Sequence, residues 1–287
     1  MLIDTLIANG PVITDGAWGT QLQSLGVSAG ACPDEWNLLH PDQVETIPRA
    51  YVEAGSQIVL TNTFRANRIA LAGFGLEQQA RAINRAGVEI SRRAAGDQAK
   101  VFASIGPTGK MLIAGEVTED QLREAFGEQA EALAEAGPDA IVIETMAELE
   151  EAEIALQAAK ETGLPVVACA TFDSGPDKDR TMMGTTPEQA AERLAAAGAD
   201  VVGANCGQGI DGYVKICRRM RSVTDLPLWI KANAGIPEVV DGQVVYKTTP
   251  AEFAAYGPEL AAVGAQFIGG CCGTTPEFIA ALRQTLA

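Results

Sequence analysis

Three of the six cysteines in this 287-residue chain are placed to work together: Cys206 in GANCG and the adjacent pair Cys271 and Cys272 in FIGGCCG. Three thiolates around a tetrahedral zinc ion, at Zn–S ~2.3 Å, leave a fourth position open, which is the arrangement of a catalytic rather than a structural site. A thiol entering that position loses its proton to the metal. It keeps high electron density, because three thiolates already donate to the ion. The product is a nucleophilic thiolate at neutral pH that needs no general base. The competing reading is that buried cysteines are small hydrophobes and that their adjacency is chance. Glycines on both sides of the pair favour the metal, since they let the backbone turn both sulfurs toward one point. Cys32, Cys169 and Cys217 fall in a loop, a strand and a helix and read as structural.

The single histidine, His40, excludes a multi-histidine metal site and any relay that needs two imidazoles. It sits in a turn before a helix and reads as structural. A net charge of −16 and a pI near 4.5 argue against a grip on nucleic acid or anionic lipid. No apolar run approaches the ~20 residues that a membrane span requires. The N-terminal MLIDTLIANGPVITDG lacks the basic region and apolar stretch of a signal peptide. Cysteines used in this way suit a reducing compartment, so a cytoplasmic protein is expected.

Far-apart cysteines can meet only if the fold brings strand ends together, and the chain carries an alternation that does this. Short β-branched runs recur eight times, at Val12–Thr14, Gln57–Thr61, Val101–Ser104, Ala140–Ile143, Val166–Ala170, Val201–Gly203, Leu228–Lys231 and Gln266–Gly269. Helical patterns lie between them. In TEDQLREAFGEQAEALAEAG, residues Leu122, Ala125, Phe126, Ala130, Leu133 and Ala134 share one face, with Thr118 as a cap and Gly137 as a stop. The second, fourth, sixth and eighth strands each follow a helix ending in a small or apolar residue plus glycine: Ala54-Gly55, Ala136-Gly137, Ala197-Gly198 and Val263-Gly264. A glycine cap followed at once by an apolar strand is the connection of a parallel sheet. DGAWGT after the first strand lacks the glycine spacing of a dinucleotide-binding fold. A single (β/α)8 barrel spanning residues 1–287 is therefore expected, with its site at the C-terminal ends of the strands. The polar residues at those ends are Asp15, Thr61 and Asn62, Gly106, Glu144, Thr171 and Asp173, Asn205 and Cys206, Asn233, and Cys271 and Cys272.

Taken in order, DGAWGTQLQ, TNTFRANRIAL, SIGPTG, IVIETM, GANCG, KANAGIP and GGCCGTTPEFI resemble the homocysteine S-methyltransferases. That family includes the homocysteine-binding barrel of cobalamin-dependent methionine synthase and the betaine and S-methylmethionine enzymes. The resemblance runs from about residue 10 to the C-terminus. It implies a barrel whose zinc is held by Cys206, Cys271 and Cys272, with Asn233 in the fourth position when substrate is absent. It further implies that the backbone around Asp15, Gly16 and Ala17 and the carboxylate of Glu144 hold the amino-acid end of homocysteine. Glu144 follows the apolar run IVI, which suits a desolvated carboxylate facing an ammonium. Its other reading is an acid at the start of a helix, favoured by the dipole. Gly106, Thr171 and Asn205 either bind substrate or shape loops, and Thr61 and Asn62 read equally well as turn-formers.

The methyl donor is the open question. DGAWGTQLQ and GGCCGTTPEFI look closer to the methionine-synthase barrel than to the betaine enzymes, and the chain closes soon after GGCCG without the extension that betaine enzymes carry. A methylated corrinoid on a partner protein (methylcobalamin chemistry) is therefore expected, with S-methylmethionine or betaine as the alternative. Trp18 and Trp36 either face a methylated cation or pack over the barrel mouth. Two rivals remain: a non-catalytic, zinc-stabilised module that binds a corrinoid protein, and a phosphate site in the glycine-rich eighth loop. Phosphate gives no reason for two adjacent cysteines.

Overall fold

Parallel strands alternate with helices throughout the computed structural model, which describes residues 1–28, 30–240 and 243–286. The strands are β1 (Val12–Ile13), β2 (Ile58–Leu60), β3 (Lys100–Ile105), β4 (Ala140–Met146), β5 (Val166–Ala170), β6 (Val201–Gly209), β7 (Leu228–Asn233), β8 (Glu238–Val240), β9 (Gln243–Val245) and β10 (Ala265–Gly270). Eight of them form one sheet in the order β1-β10-β7-β6-β5-β4-β3-β2. The seam between β1 and β2 is joined by a parallel bridge from Thr14 to Ile58. Gln57 reinforces it: its backbone N–H donates to Ile13 O at 2.7 Å, and its side chain accepts from Ile13 N at 2.9 Å. The sheet thus closes into the expected (β/α)8 barrel. All eight expected runs are strands, but most ends differ. β4, β6 and β7 run on through Met146, Gly209 and Asn233, so Glu144, Asn205, Cys206 and Asn233 lie within strands rather than after them.

The helices follow from their caps. Thr118 and Gln121 form a reciprocal capping box at the start of helix Glu119–Ala136, and Gly137 ends it in the left-handed conformation. Leu122, Ala125, Phe126, Ala130 and Leu133 of its predicted face are buried, whereas Ala134 is only partly covered. Gly55, Gly198 and Gly264 also have positive φ, as cap glycines must to redirect the chain into a strand.

Two apolar layers result. The larger packs the helices onto the outside of the sheet. The smaller fills the barrel interior with Val12, Ile58, Leu60, Phe102, Val142, Val167, Trp229 and Phe267. Trp229 stacks on Phe102 at 5.9 Å and packs against Phe267 at 5.3 Å. Ile3, from an N-terminal helix (Leu2–Ile7), joins this inner layer and stoppers the barrel on the side away from the cysteines. Among the described residues no helix is long and apolar enough to cross a membrane. An antiparallel hairpin, β8 with β9, stands outside the barrel sheet after β7 and was not anticipated. The pattern VVDGQVV carries its signal, β-branched residues on both sides of an Asp-Gly pair, although Asp241 and Gly242 lie outside the described residues.

Candidate active site

β7 brings the cysteines together. Cys206 of β6 and Gly270 of β10 both register with Ala232 on the strand between them. Cys271 N donates to Ala232 O at 2.6 Å, and Ala234 N donates to Cys272 O at 2.9 Å. The three sulfurs consequently lie within 4.8 Å of one another, with Cys206 and Cys272 3.8 Å apart. Two sulfurs bound at 2.3 Å to one tetrahedral ion would stand ~3.8 Å apart, so the spacing fits zinc. Cys206 reaches this position through a left-handed backbone, φ 61°, where β6 departs from regular register. A residue other than glycine pays about 1–3 kcal/mol for that conformation. Tyr213, whose hydroxyl donates to Cys206 O at 2.7 Å, helps to hold it.

The electrostatics also call for a cation. Cys271 draws the Cys206 thiol down, but Cys272 and burial outweigh it and push the pKa to about 12. Cys206 likewise lowers Cys272, but Cys271 and burial push it to about 12. Cys271 is held well above its ordinary value, first by Cys206 and then by burial. Three thiolates at this spacing cannot coexist without a positive ion between them. Asn233, buried on β7 one residue beyond Ala232, has a side-chain oxygen with no hydrogen-bond partner among the described residues. Three sulfurs and a free amide oxygen form a donor set suited to zinc.

Glu144 faces inward from β4 and is buried. It is not a helix-start acid, because the next helix begins at Leu149. Ser104 Oγ donates to its Oε1 at 2.5 Å and Asn205 Nδ2 to its Oε2 at 3.2 Å. Burial raises its pKa, opposed by Lys231 and the Ser104 hydrogen bond. Asn205 is the organiser: its amide also donates to Thr145 Oγ1 at 2.7 Å, and its oxygen accepts from Thr145 N at 2.7 Å. Thr171 donates to Asn205 O at 2.5 Å, tying β6 to the loop after β5. In this structure Asn205 and Thr171 thus shape the site.

A residue that sequence reasoning passed over is central. Lys231 is fully buried and ion-paired with Asp15, which is fully buried too. Burial opposes the charge on Lys231, but Asp15 and Glu144 outweigh it and raise its pKa. The other oxygen of Asp15 accepts from Leu60 N at 2.8 Å and from the Trp18 indole N–H at 3.0 Å. The Asp15 side chain is therefore spent on the protein, and so is the Trp18 polar edge. A signal existed: in LWIKAN, Lys231 stands two residues from Trp229 and so shares its face.

Other expected site residues are engaged internally. Ala17 N donates to Thr274 Oγ1 at 3.1 Å, and Ala17 O accepts from Tyr51 at 2.8 Å. Gly16 is required by close approach, since a Cβ there would lie 2.7 Å from the Tyr51 ring. Gly106 donates to Phe64 O at 2.9 Å, and the Phe64 ring fills the space its side chain would need. Thr61 pairs with Thr63 and accepts from Ser104 N, while Asn62 bonds Pro33 and Asn37, so both tie loops. Trp36 packs on exposed His40 at 4.5 Å, and partly buried Asp173 binds Ser174.

Comparison with known proteins bears on this arrangement. Residues 12–286 match the model of the homocysteine S-methyltransferase family. Methionine synthase of Mycobacterium leprae is 30% identical over 305 residues, covering all of this chain but 25% of that protein. The chain thus spans about a quarter of the length of the mycobacterial methionine synthases it matches. Betaine–homocysteine S-methyltransferase 1 of Danio rerio is also 30% identical, across all of this chain and 75% of its own length. The metallated form of the homocysteine methyltransferase MmuM from Escherichia coli superimposes with a TM-score of 0.81 at 25% identity, covering 99% of each chain.

Proposed function

This chain belongs to the homocysteine S-methyltransferase family, and we propose that it is a zinc-dependent enzyme that methylates the thiol of homocysteine to form methionine, with a methylated corrinoid on a partner protein as donor. The observation that carries the zinc reading is the triad of Cys206, Cys271 and Cys272, two of its sulfurs 3.8 Å apart. Bound there, zinc supplies the Lewis acidity that keeps a substrate thiol ionised at neutral pH. The remaining work falls to the protein. Glu144, fixed by Ser104 and Asn205, receives the substrate ammonium, and the turn at Asp15, Gly16 and Ala17 lies beside the carboxylate end. Because the N–H and C=O of Ala17 and the C=O of Asp15 are already bonded, the backbone contribution there rests on the N–H groups of Asp15 and Gly16. Lys231 neutralises Asp15, so that Glu144 is the carboxylate left to face a cation. Fixing the acceptor sulfur at the bottom of the mouth converts methyl transfer into a positioned encounter.

The donor reading draws on the rim of the barrel mouth. Ile113 after β3, Met182 after β5, Ile236 after β7 and Val244 on β9 are 69%, 57%, 63% and 61% exposed. They stand on the loops and hairpin that leave the same ends of the strands. Exposed large apolar side chains around an entrance favour a macromolecular donor over a small onium ion that would be enclosed. The equal identity to the Danio rerio betaine enzyme keeps betaine, and with it S-methylmethionine, as the second reading. The test supplies zinc-loaded protein and homocysteine with methylcobalamin, betaine or S-methylmethionine in turn and measures initial rates of methionine formation. Methylcobalamin should support turnover. Fast turnover with a small onium donor and none with methylcobalamin would overturn the donor assignment. No methionine from any donor, a methylated corrinoid protein included, would overturn the enzymatic reading.

A further inference from the structure

Charge is unevenly spent over this molecule. Acids outnumber lysines and arginines 37 to 21, so a carboxylate is at hand for almost any cation. Among the described residues, every lysine and arginine except Arg65, Lys110, Lys178, Arg221 and Arg283 lies within ion-pairing distance of an acid. Arg221 and Arg283 are engaged at the stoppered end of the barrel. Arg221 donates to Leu226 O at 2.8 Å before β7, and Arg283 lies against Gly55 before β2. The other three are exposed and stand at the open end: Arg65 on the loop after β2, Lys110 after β3 and Lys178 after β5.

Each of these cations rides on a backbone that is held in place. Arg65 N donates to buried Asp34 at 3.0 Å. Lys110 N donates to Thr108 Oγ1 at 3.3 Å, and Thr108 is itself clamped through its N–H and hydroxyl, at 2.8 and 2.6 Å, by buried Glu151. Lys178 has a left-handed backbone, φ 53°, unusual for a residue with a side chain, and its carbonyl accepts from Gln208 Nε2 at 2.8 Å. The loops are also joined edge to edge. Gly106 N bonds Phe64 O, buried Glu148 after β4 accepts from Leu112 N and Ile113 N at 2.9 Å, and Thr171 N donates to Met146 O at 2.9 Å. The acids on the same loops are turned to other work: Glu116 on Met111 N, Asp173 on Ser174, Asp177 on Lys215, and Asp179 on Lys215 and Arg219. One sector of the mouth thus presents fixed positive charge on an otherwise acidic molecule, with exposed Ile113 and Met182 on the loops of Lys110 and Lys178.

We propose that this sector, Arg65, Lys110 and Lys178 with Ile113 and Met182 beside them, is the docking surface for an acidic face of the protein that delivers the methyl group. Apolar side chains among charges that steer and set register are the anatomy of a protein interface. A net charge of −16 repels an extended polyanion such as nucleic acid or an anionic membrane. A local acidic patch meets the three cations within about 8 Å, inside the range that salt does not screen. The placement also suits delivery, because the same loops border Glu144 through Ser104 of β3.

The identity of the partner rests on the corrinoid reading of the donor, and two readouts keep the two apart. Three proteins are compared: wild type, a mouth variant with Arg65→Glu, Lys110→Glu and Lys178→Glu, and a control of the same net charge with Arg81→Glu, Arg85→Glu and Arg123→Glu on outer helices. The first readout is binding of fluorescein-labelled poly-L-glutamate at low salt, followed by anisotropy. Wild type and control should bind, and the mouth variant should bind about tenfold more weakly. The second is the initial rate of methionine formation from free methylcobalamin and from a methylcobalamin-loaded corrinoid protein below saturation. With the corrinoid protein the mouth variant should be about tenfold slower, and the wild-type rate should itself fall as salt rises. With free methylcobalamin all three proteins should agree. Equal rates for wild type and mouth variant with the corrinoid protein would overturn the proposal. So would a loss shared by the control, which reports net charge alone, or a loss shared with free methylcobalamin, which places the effect on the cofactor or the site. Self-association of wild type that the mouth variant abolishes would make a second copy the occupant and overturn it too. Wild type that ignores polyglutamate would remove the surface. No methionine from either corrinoid donor would sink the donor reading instead, and polyglutamate binding would still judge whether this sector takes an acidic chain.

Discussion

Along β7, Trp229, Lys231 and Asn233 follow at the two-residue spacing of a strand, so one face of one strand meets three environments. Trp229 lies among Phe102 and Phe267 in the apolar interior, its indole N–H without a partner among the described residues. Lys231 is ion-paired with Asp15, and Asn233 stands beside the cysteines with an unbonded oxygen. β4 repeats the gradient with Ala140, Val142 and Glu144, and β6 with Val201, Gly203 and Asn205. The stoppered end is filled by dispersion and apolar burial. The open end holds buried charge, a left-handed cysteine and an unsatisfied amide, all of which cost stability. The comparison teaches that the apolar half, with the outer helices, offsets what the functional half loses, and that both halves hang on the same strands.

The largest effect should come from the apolar half. Trp229→Ala should lower unfolding free energy by about 4 kcal/mol, read from denaturant midpoints. Zinc per folded chain should stay unchanged. An unaltered midpoint would break the proposed division of labour. At the boundary, Lys231→Met leaves Asp15 buried and unpaired and should cost about 3 kcal/mol. Adding Asp15→Asn should recover much of that loss in a double-mutant cycle, because the orphaned charge is gone. Strict additivity of the two substitutions would show that they do not act as a pair. At the open end, Glu144→Gln should barely move the midpoint yet weaken homocysteine binding by about 2 kcal/mol, with zinc retained. Calorimetry that finds wild-type affinity would remove Glu144 from substrate recognition.

These two halves were not equally legible. Hydrophobic period and cap residues are local signals, and they located every barrel strand, the cap at Thr118 and the Gly137 stop. Strand ends were misjudged where function lies. Glu144, Asn205, Cys206 and Asn233 interrupt apolar runs, and a polar residue reads as the end of a strand. Inside the barrel their polar atoms face partners or an open donor position, so the backbone ladder continues through them. The hairpin was passed over because it stands outside the eight repeating units.

What the chain's residues determined by themselves was the alternation that closes a barrel, the end at which chemistry gathers, and the identity of three thiols able to share a metal. Each depends on residue type and on spacing along the chain. Tertiary structure alone decided that Lys231 pairs with Asp15, 216 residues away, that Asn205 braces Glu144, and that the Asp15 side chain serves the protein rather than the substrate. A lysine in a sequence carries the same charge whether it faces water or a buried carboxylate. Only closure of the barrel, which removes water and brings the strand ends within hydrogen-bonding distance, sets its partner and its energy.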